Sequence, residues 1–270
     1  MKSILVHVHD DSGLEARLQS SLDLTRAFNG HLTCHANVPF NSYAAINPFG
    51  SPYVITGLFE AMQEYETKLQ HRVEAQLEKE DVSWSYVSTT GFDDSELVNQ
   101  SALNDLIVMS HSTDTQKASG SISLVGRIVT SSHTPVLLIP DNHIGFDTQG
   151  AAIVAWNGSF EAGNALRAAV PMLRRAKSVT IVTVDDEPAQ LFPATLASEY
   201  LSRHGITSEL LNCVERHAEV EEILLNTASR LSAQYLVMGA FGHSRAREFW
   251  FGGVTRTMLC NATIPLLMTH

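Results

Sequence analysis

Two short stretches carry the residue types best suited to holding an anion. The first is GAFGHSRAREFWFGG, Gly239 to Gly253, in which Gly239 and Gly242 are followed, after nine intervening residues, by the pair Gly252 and Gly253. The second is Trp156-Asn157-Gly158-Ser159. Glycines let a backbone turn tightly and let amide N–H groups approach an anion with no Cβ in the way, and a helix that starts just after them adds partial positive charge. The run VTRTMLCNA after Gly253 reads as such a helix, and phosphate is the natural anion. Turn glycines are common, and two of them three apart mean little alone. The longer pattern, set between a buried strand and a helix, is more specific. Neither the G-x-x-x-x-G-K-[ST] nor the G-x-G-x-x-G phosphate pattern occurs, which disfavours a P-loop nucleotide hydrolase and a nicotinamide dehydrogenase.

The elements that position these stretches follow from an internal repeat. ILVHVHDDS (Ile4 to Ser12) is echoed by AAIVAWNGS (Ala151 to Ser159), LNDLIVMS (Leu103 to Ser110) by SAQYLVMG (Ser232 to Gly239), and HTPVLLIP (His133 to Pro140) by TIPLLMTH (Thr263 to His270). Three matched pairs in one order imply two copies of one unit, residues 1–142 and 150–270, joined by the linker-like PDNHIGFDTQG. The first copy is longer, with its extra residues falling in NPFGSPYVITGLFEAMQEYETKLQ. Within each copy short β-branched runs alternate with segments of helical spacing such as Val220, Ile223, Leu224, Ala228 and Leu231. That alternation predicts an α/β fold of two tandem doubly wound parallel sheets, each of five strands. Ser159 should cap a helix over FEAGNALRAAVPMLRRA, and Ser12 with Glu15 has the form of a capping box.

Composition removes several classes of function. With 270 residues, 44% hydrophobic and 17% charged, the chain can bury a substantial core. A formal charge of -11 and the absence of a Lys/Arg cluster argue against nucleic acid as a partner. No apolar run is long enough to span a membrane, and the opening MKSILVHVHDDS lacks a signal-peptide pattern, so a cytoplasmic protein is expected. Cys34, Cys213 and Cys260 form no C-x-x-C pair and suit packing in a reducing compartment.

In open α/β sheets ligands sit beyond the carboxyl ends of the strands, where the winding reverses. There the two stretches should meet, and there the sequence resembles the universal stress protein family. That family has a G-x2-G-x9-G-[S/T] loop after its fourth strand and a V-x-D-G-S-like motif after its first. AWNGSFEA and VMGAFGHSRAREFWFGGVTRTM fit these in the second copy; the first copy fits faintly. The resemblance implies an adenine-nucleotide alpha hydrolase-like fold of strand order 3-2-1-4-5, pairing through the last strand of each copy. It implies ATP, ADP or AMP as ligand, with or without Mg²⁺. Adenine would lie near Ala155, Asn157 and Val184, and ribose and phosphates on Gly239, Gly242, Gly252, Gly253 and Val254.

Two departures bear on chemistry. Asn157 stands where Asp is usual, which keeps an acceptor oxygen but loses charge. Gly253 stands where Ser or Thr is usual, with Thr255 two residues on. Both changes suit binding better than metal-assisted hydrolysis, and the loop offers no general base with a defined partner, so no catalytic residue is assigned and any ATP hydrolysis should be weak. His243 could reach a phosphate, as could Arg245 and Arg247; Phe249, Trp250 and Phe251 are better suited to packing. In the first copy the corresponding segment is SHSTDTQKASGSISLVG, with Ser110 and Thr113 in place of the first two glycines, a degenerate loop. His9, Asp10, His35 and His111 should converge on that copy's cleft. Their spacing matches no ligand motif, buried hydrogen-bonded histidines with Asp10 serving the turn explain them better, and no metal is assigned.

The expectation is a stress-response, ATP-binding sensor or regulator working through its C-terminal domain, with an unidentified protein partner and no membrane partner. The alternatives are a slow ATPase or nucleotidyl-transfer enzyme, and a structural pairing module with a vestigial pocket. An S-G-G-x-D-S pyrophosphatase loop is absent, against adenylation chemistry. The two last strands could pair with each other and complete an internal pseudo-dimer, leaving room for a further homodimer.

Overall fold

The computed structural model describes residues 1–39, 52–91, 95–111, 115–184, 192–214, 218–241 and 253–270. The first half runs β1 (Ser3–Val8), α1 (Leu14–Phe28), β2 (His31–Pro39), α2 (Pro52–Leu77), β3 (Ser83–Gly91), α3 (Ser95–Ser101), β4 (Leu106–His111), α4 (Thr115–Ser131) and β5 (Val136–Pro140). The second runs β6 (Ala151–Ala155), α5 (Phe160–Leu173), β7 (Ser178–Val184), α6 (Ala194–Arg203), β8 (Glu209–Cys213), α7 (Val220–Arg230), β9 (Ala233–Gly239), α8 (Gly253–Asn261) and β10 (Leu266–Thr269).

All the strands join in one sheet of order β3-β2-β1-β4-β5-β10-β9-β6-β7-β8. Each half therefore has the order 3-2-1-4-5, parallel throughout, and the halves meet through an antiparallel pair in which Leu137 lies opposite Leu267. The two five-stranded units are thus one ten-stranded sheet. The join satisfies the backbone groups that each last strand would otherwise expose as an edge.

Alternation along the strands fills both faces. Ile4, Val6, Val8, Leu137 and Leu267 belong to one core cluster, and Leu5, Ile107, Leu138 and Leu266 to the other. Helices α1, α2, α5 and α6 supply the first cluster and α3, α4, α7 and α8 the second. A strand buried on both sides reads as a continuous apolar run, which is why VLLIP carries no polar residue. Helix α1 presents Leu14, Leu18 and Leu22 at i, i+4, i+8 and ends at Asn29, which takes the left-handed conformation at φ 46° while Gly30 N–H donates to the Thr25 carbonyl at 2.9 Å.

The predicted capping box at Ser12 and Glu15 does not form. Gly13 holds the N-cap position with no side-chain cap, because Ser12 Oγ donates instead to Asp141 Oδ2 at 3.0 Å and Glu15 accepts from Gln76. The extra length of the first half appears as α2, 26 residues against the 10 of α6. The segment between β5 and β6 is packed: Phe146 is buried against Tyr235 at 5.5 Å, and its N–H donates to Asp23 Oδ2 of α1 at 2.8 Å.

Candidate functional site

In the second half the chain leaves β6 for β7 and β8 on one side and returns to β9 and β10 on the other, so the winding reverses between β6 and β9. Parallel pairing sets Val154 beside Val237 and Ala155 beside Val182, and brings Ala155, Val184 and Gly239 to one end of the sheet. Of the residues singled out in the sequence, Ala155, Asn157, Val184, Gly239, Gly253, Val254 and Thr255 lie among those described. Gly242, His243 and Gly252 lie outside the described residues, as do Arg245, Arg247, Phe249, Trp250 and Phe251.

The turn after β6 is built by its own side chains. Asn157 Oδ1 accepts from the Ser159 N–H at 3.1 Å, Gly158 takes a left-handed φ of 69°, and Ser159 Oγ accepts from the Ala162 N–H at 3.1 Å as the N-cap of α5. One lone pair of Asn157 is thereby engaged, and its amide NH₂ remains on an exposed side chain. Trp156 is buried beside this turn; its indole N–H donates to the Phe192 carbonyl at 2.9 Å, while Phe192 N–H donates to the Gly158 carbonyl at 3.2 Å. These two bonds tie the segment after β7 to the turn after β6. No local sequence signal announces them, because Trp156 looks like an ordinary end-of-strand aromatic.

Gly239 also has a packing task that its sequence context does not announce. A Cβ there would lie 2.5 Å from Ala162 N and 2.6 Å from the Glu161 carbonyl carbon, so the missing side chain makes room for the first turn of α5. Gly253, in the first turn of α8, faces open space: a Cβ there would meet nothing within 4 Å. Thr255 in the same turn is buried, Val254 is half-buried, and Gly253 and Arg256 are exposed. Phe241, at the start of the loop, holds a positive φ of 64°, a conformation that costs a non-glycine residue energy and that recurs at ligand sites. The loop's start is pinned by Ala240 N–H to the Thr269 carbonyl at 2.8 Å and by His270 Nδ1 to the Ala240 carbonyl at 3.1 Å.

The equivalent strand ends of the first half are filled by charge. Arg17, fully buried on α1, donates through Nη1 to Asp11 Oδ1 at 2.9 Å and to Ser110 Oγ at 2.9 Å, and through Nη2 to the His9 carbonyl at 2.9 Å. By the repeat, Asp11, Arg17 and Ser110 correspond to Gly158, Asn164 and Gly239. Asp10, the counterpart of Asn157, pairs with Arg72 of α2, whose hydrogen bond holds its carboxyl below the usual range. One sequence signal was available for the bridge: Arg17 is the one charged residue on the otherwise uncharged buried face of α1, six residues after Asp11.

Among the described residues no group of three or more His, Cys, Asp or Glu side chains could hold a metal ion. His35 Nε2 instead meets Thr89 Oγ1 at 2.9 Å, and His9 stacks over His7 with centroids 6.1 Å apart. Burial pushes His35 and His111 down to about 4, and His7 is lowered by burial and then by Arg17, His9 and His35. Both ring nitrogens of His111 are buried without a side-chain hydrogen-bond partner.

No helix of the described residues is long and apolar enough to cross a membrane. Residues 151–270 match the universal stress protein family. A universal stress protein of Synechocystis sp. is 28% identical over 173 residues, which cover 60% of this chain and 57% of that protein. The match therefore spans little more than half the length of either. A universal stress protein structure from Archaeoglobus fulgidus superimposes with a TM-score of 0.73 at 13% identity, over 99% of this chain and 96% of that one. A protein from Pseudomonas aeruginosa, described as a putative universal stress protein, gives 0.61 at 14% identity over 100% and 93%. The second half therefore matches the universal stress protein family in sequence, and the whole chain shares the fold of solved universal stress proteins.

Proposed function

We propose that the C-terminal half binds an adenine nucleotide (ATP, ADP or AMP) in the crevice between the ends of β6 and β9, and that the protein acts as a sensor or regulator. The reading rests most on one contrast. Where the first half has Asp11 and Ser110 bridged by a buried arginine, the second has Gly158 and Gly239, with Asn164 turned to the His270 carbonyl at 3.1 Å. The first half uses its polar groups on itself; the second leaves backbone amides and the exposed Asn157 for a guest. The family match covers the same half. Adenine would lie between Ala155 and Val184, and the phosphates against the loop that ends at Gly253, where Val254 and Thr255 open α8.

Holding a nucleotide suits this site better than cutting one. Asn157 is neutral, so it would attract Mg²⁺ less than Asp does, and Gly253 brings no hydroxyl to the phosphates. The sensing mechanism would be population shift, in which a ligand that binds one conformation better alters a surface met by a protein partner. Unfolding the purified protein and identifying the released nucleotide tests the reading, together with a thermal melt at millimolar ATP. Release of an adenine nucleotide or an ATP-dependent rise in Tm, lost in Gly242→Val, is expected. Neither release nor rise would overturn it.

A further inference from the structure

A second concavity lies on the outer side of α5. Helices α5 and α6 leave a groove of about 370 Å³ lined by Phe160, Leu166, Phe192, Leu196 and Tyr200, with Trp156 at its inner end. Its surface is mostly apolar, with Ser159, Asn164, Arg167 and Tyr200 supplying polar groups, and a volume of this size with a few polar groups is in the range of small-molecule sites. Phe160 and Leu196 are exposed, so the groove opens to solvent. Phe160 and Phe192 already meet edge to face at 5.2 Å, leaving ring faces and edges for a third aromatic group.

Two further observations indicate a guest. Gly163 lies inside α5, where glycine weakens a helix, yet a Cβ there would meet nothing within 4 Å. Packing within the chain thus gives no reason for glycine at this position; a guest lying against the helix backbone does. The other is Arg167, one turn further along α5 on the groove's rim. Its Nη2 donates to Asn164 Oδ1 at 2.6 Å, its side chain is exposed, and among the described residues it makes no ion pair with a carboxylate. A guanidinium beside an apolar slot is complementary to a carboxylate on an apolar body.

We propose that this groove binds a small aromatic monocarboxylate, its ring between Phe160, Phe192 and Tyr200 and its carboxylate on Arg167. The site is separate from the nucleotide crevice. It shares one wall with it, since Trp156 and Phe192 are bonded to each other and to the turn that carries Asn157.

Calorimetric titration of the full chain with indole-3-acetate, without nucleotide, tests the groove independently of the nucleotide reading. Saturable binding is expected, weakened about tenfold or more by Gly163→Leu, which fills the slot, and about tenfold by Arg167→Gln. Gly163→Leu should melt no lower than the parent, because leucine favours helix over glycine. Neutral indole-3-ethanol should bind the parent about as weakly as indole-3-acetate binds Arg167→Gln. Absence of saturation at millimolar ligand would overturn the proposal, as would unchanged affinity in Gly163→Leu or tighter binding of octanoate than of indole-3-acetate. Self-association of the parent that Gly163→Leu abolishes would also overturn it, since a second copy would then cover the groove.

Discussion

A Cβ on Gly239 would lie 2.5 Å from the backbone nitrogen of Ala162, and in the first half the same closeness is reached from the other side, with a Cβ on Gly13 lying 2.6 Å from Ser110 Oγ. Strand end and helix start touch in both halves. In one the strand supplies the glycine, and in the other the helix does. This exchange is what allows Ser110 to exist in the first half and to join Arg17, and it frees the second half of any side chain at that strand end.

Gly239→Ala should therefore destabilise the protein by about 1–3 kcal/mol, because backbone rather than a movable side chain occupies the space. Gly253→Ala, with open space around it, should stay within about 0.5 kcal/mol of the parent. Urea unfolding of the two variants, compared with the parent, checks the pair.

Gly253→Ser should restore a hydroxyl at the first turn of α8 without loss of stability, since nothing lies within 4 Å of the new Cβ. A charge-assisted hydrogen bond to phosphate is worth about 1.5–3 kcal/mol, so ATP affinity should rise about tenfold or more. Equal affinity in parent and variant would mean that the phosphates do not reach this turn.

Arg17→Ala should cost about 1–3 kcal/mol, because it strips the buried end of this bridge, including the Ser110 hydroxyl, of its donor and leaves its own volume unfilled, while Asp11 stays partly solvated. Arg17→Met with Asp11→Ser should recover much of that loss by removing the orphaned charge and keeping the helix face filled. Denaturant midpoints of the single and double variants measure the coupling.

Acid should weaken the first half in a defined window. Burial lowers His35 and His111 to about 4 from an unfolded value near 6.5, so between those values the unfolded chain binds more protons than the folded one. Stability is then fully present above about pH 6.5, falls as pH drops towards 4, and levels off below. His7, His9 and Arg17 surround this region with potential or actual positive charge, and only Asp141 and a backbone hydrogen bond to Leu259 oppose the trend at His111. His111→Leu should flatten the acid limb and raise stability near neutrality by about 1 kcal/mol, as its ring nitrogens are buried without side-chain partners. Thermal melts across about pH 4–8 read both effects.

Much of the architecture was legible because it follows from periodicity. AAIVA and VLLIP are apolar at every position, which suits a strand buried on both faces, and the repeat of such runs implied two copies of one unit, while their pairing through the last strands came from the family resemblance. Capping was legible at Ser159, whose neighbours leave its hydroxyl free, and illegible at Ser12, where Asp141 arrives from 129 residues away. The task of Gly239 was hidden for a similar reason: a glycine that admits a ligand and one that admits a helix look the same until the helix is in place. The bridge of Arg17 to Ser110 and the Trp156–Phe192 clamp depend on contacts between distant segments, which no local spacing encodes.

The central claim is an asymmetry between two copies of one fold, and the number of nucleotides bound per chain tests it most directly. Calorimetric titration of the full chain with ATP should give one site, abolished by Gly242→Val and unaffected by Asp10→Asn. Two sites per chain would contradict the idea that Arg17 and Ser110 close the first half, and none would contradict nucleotide binding itself.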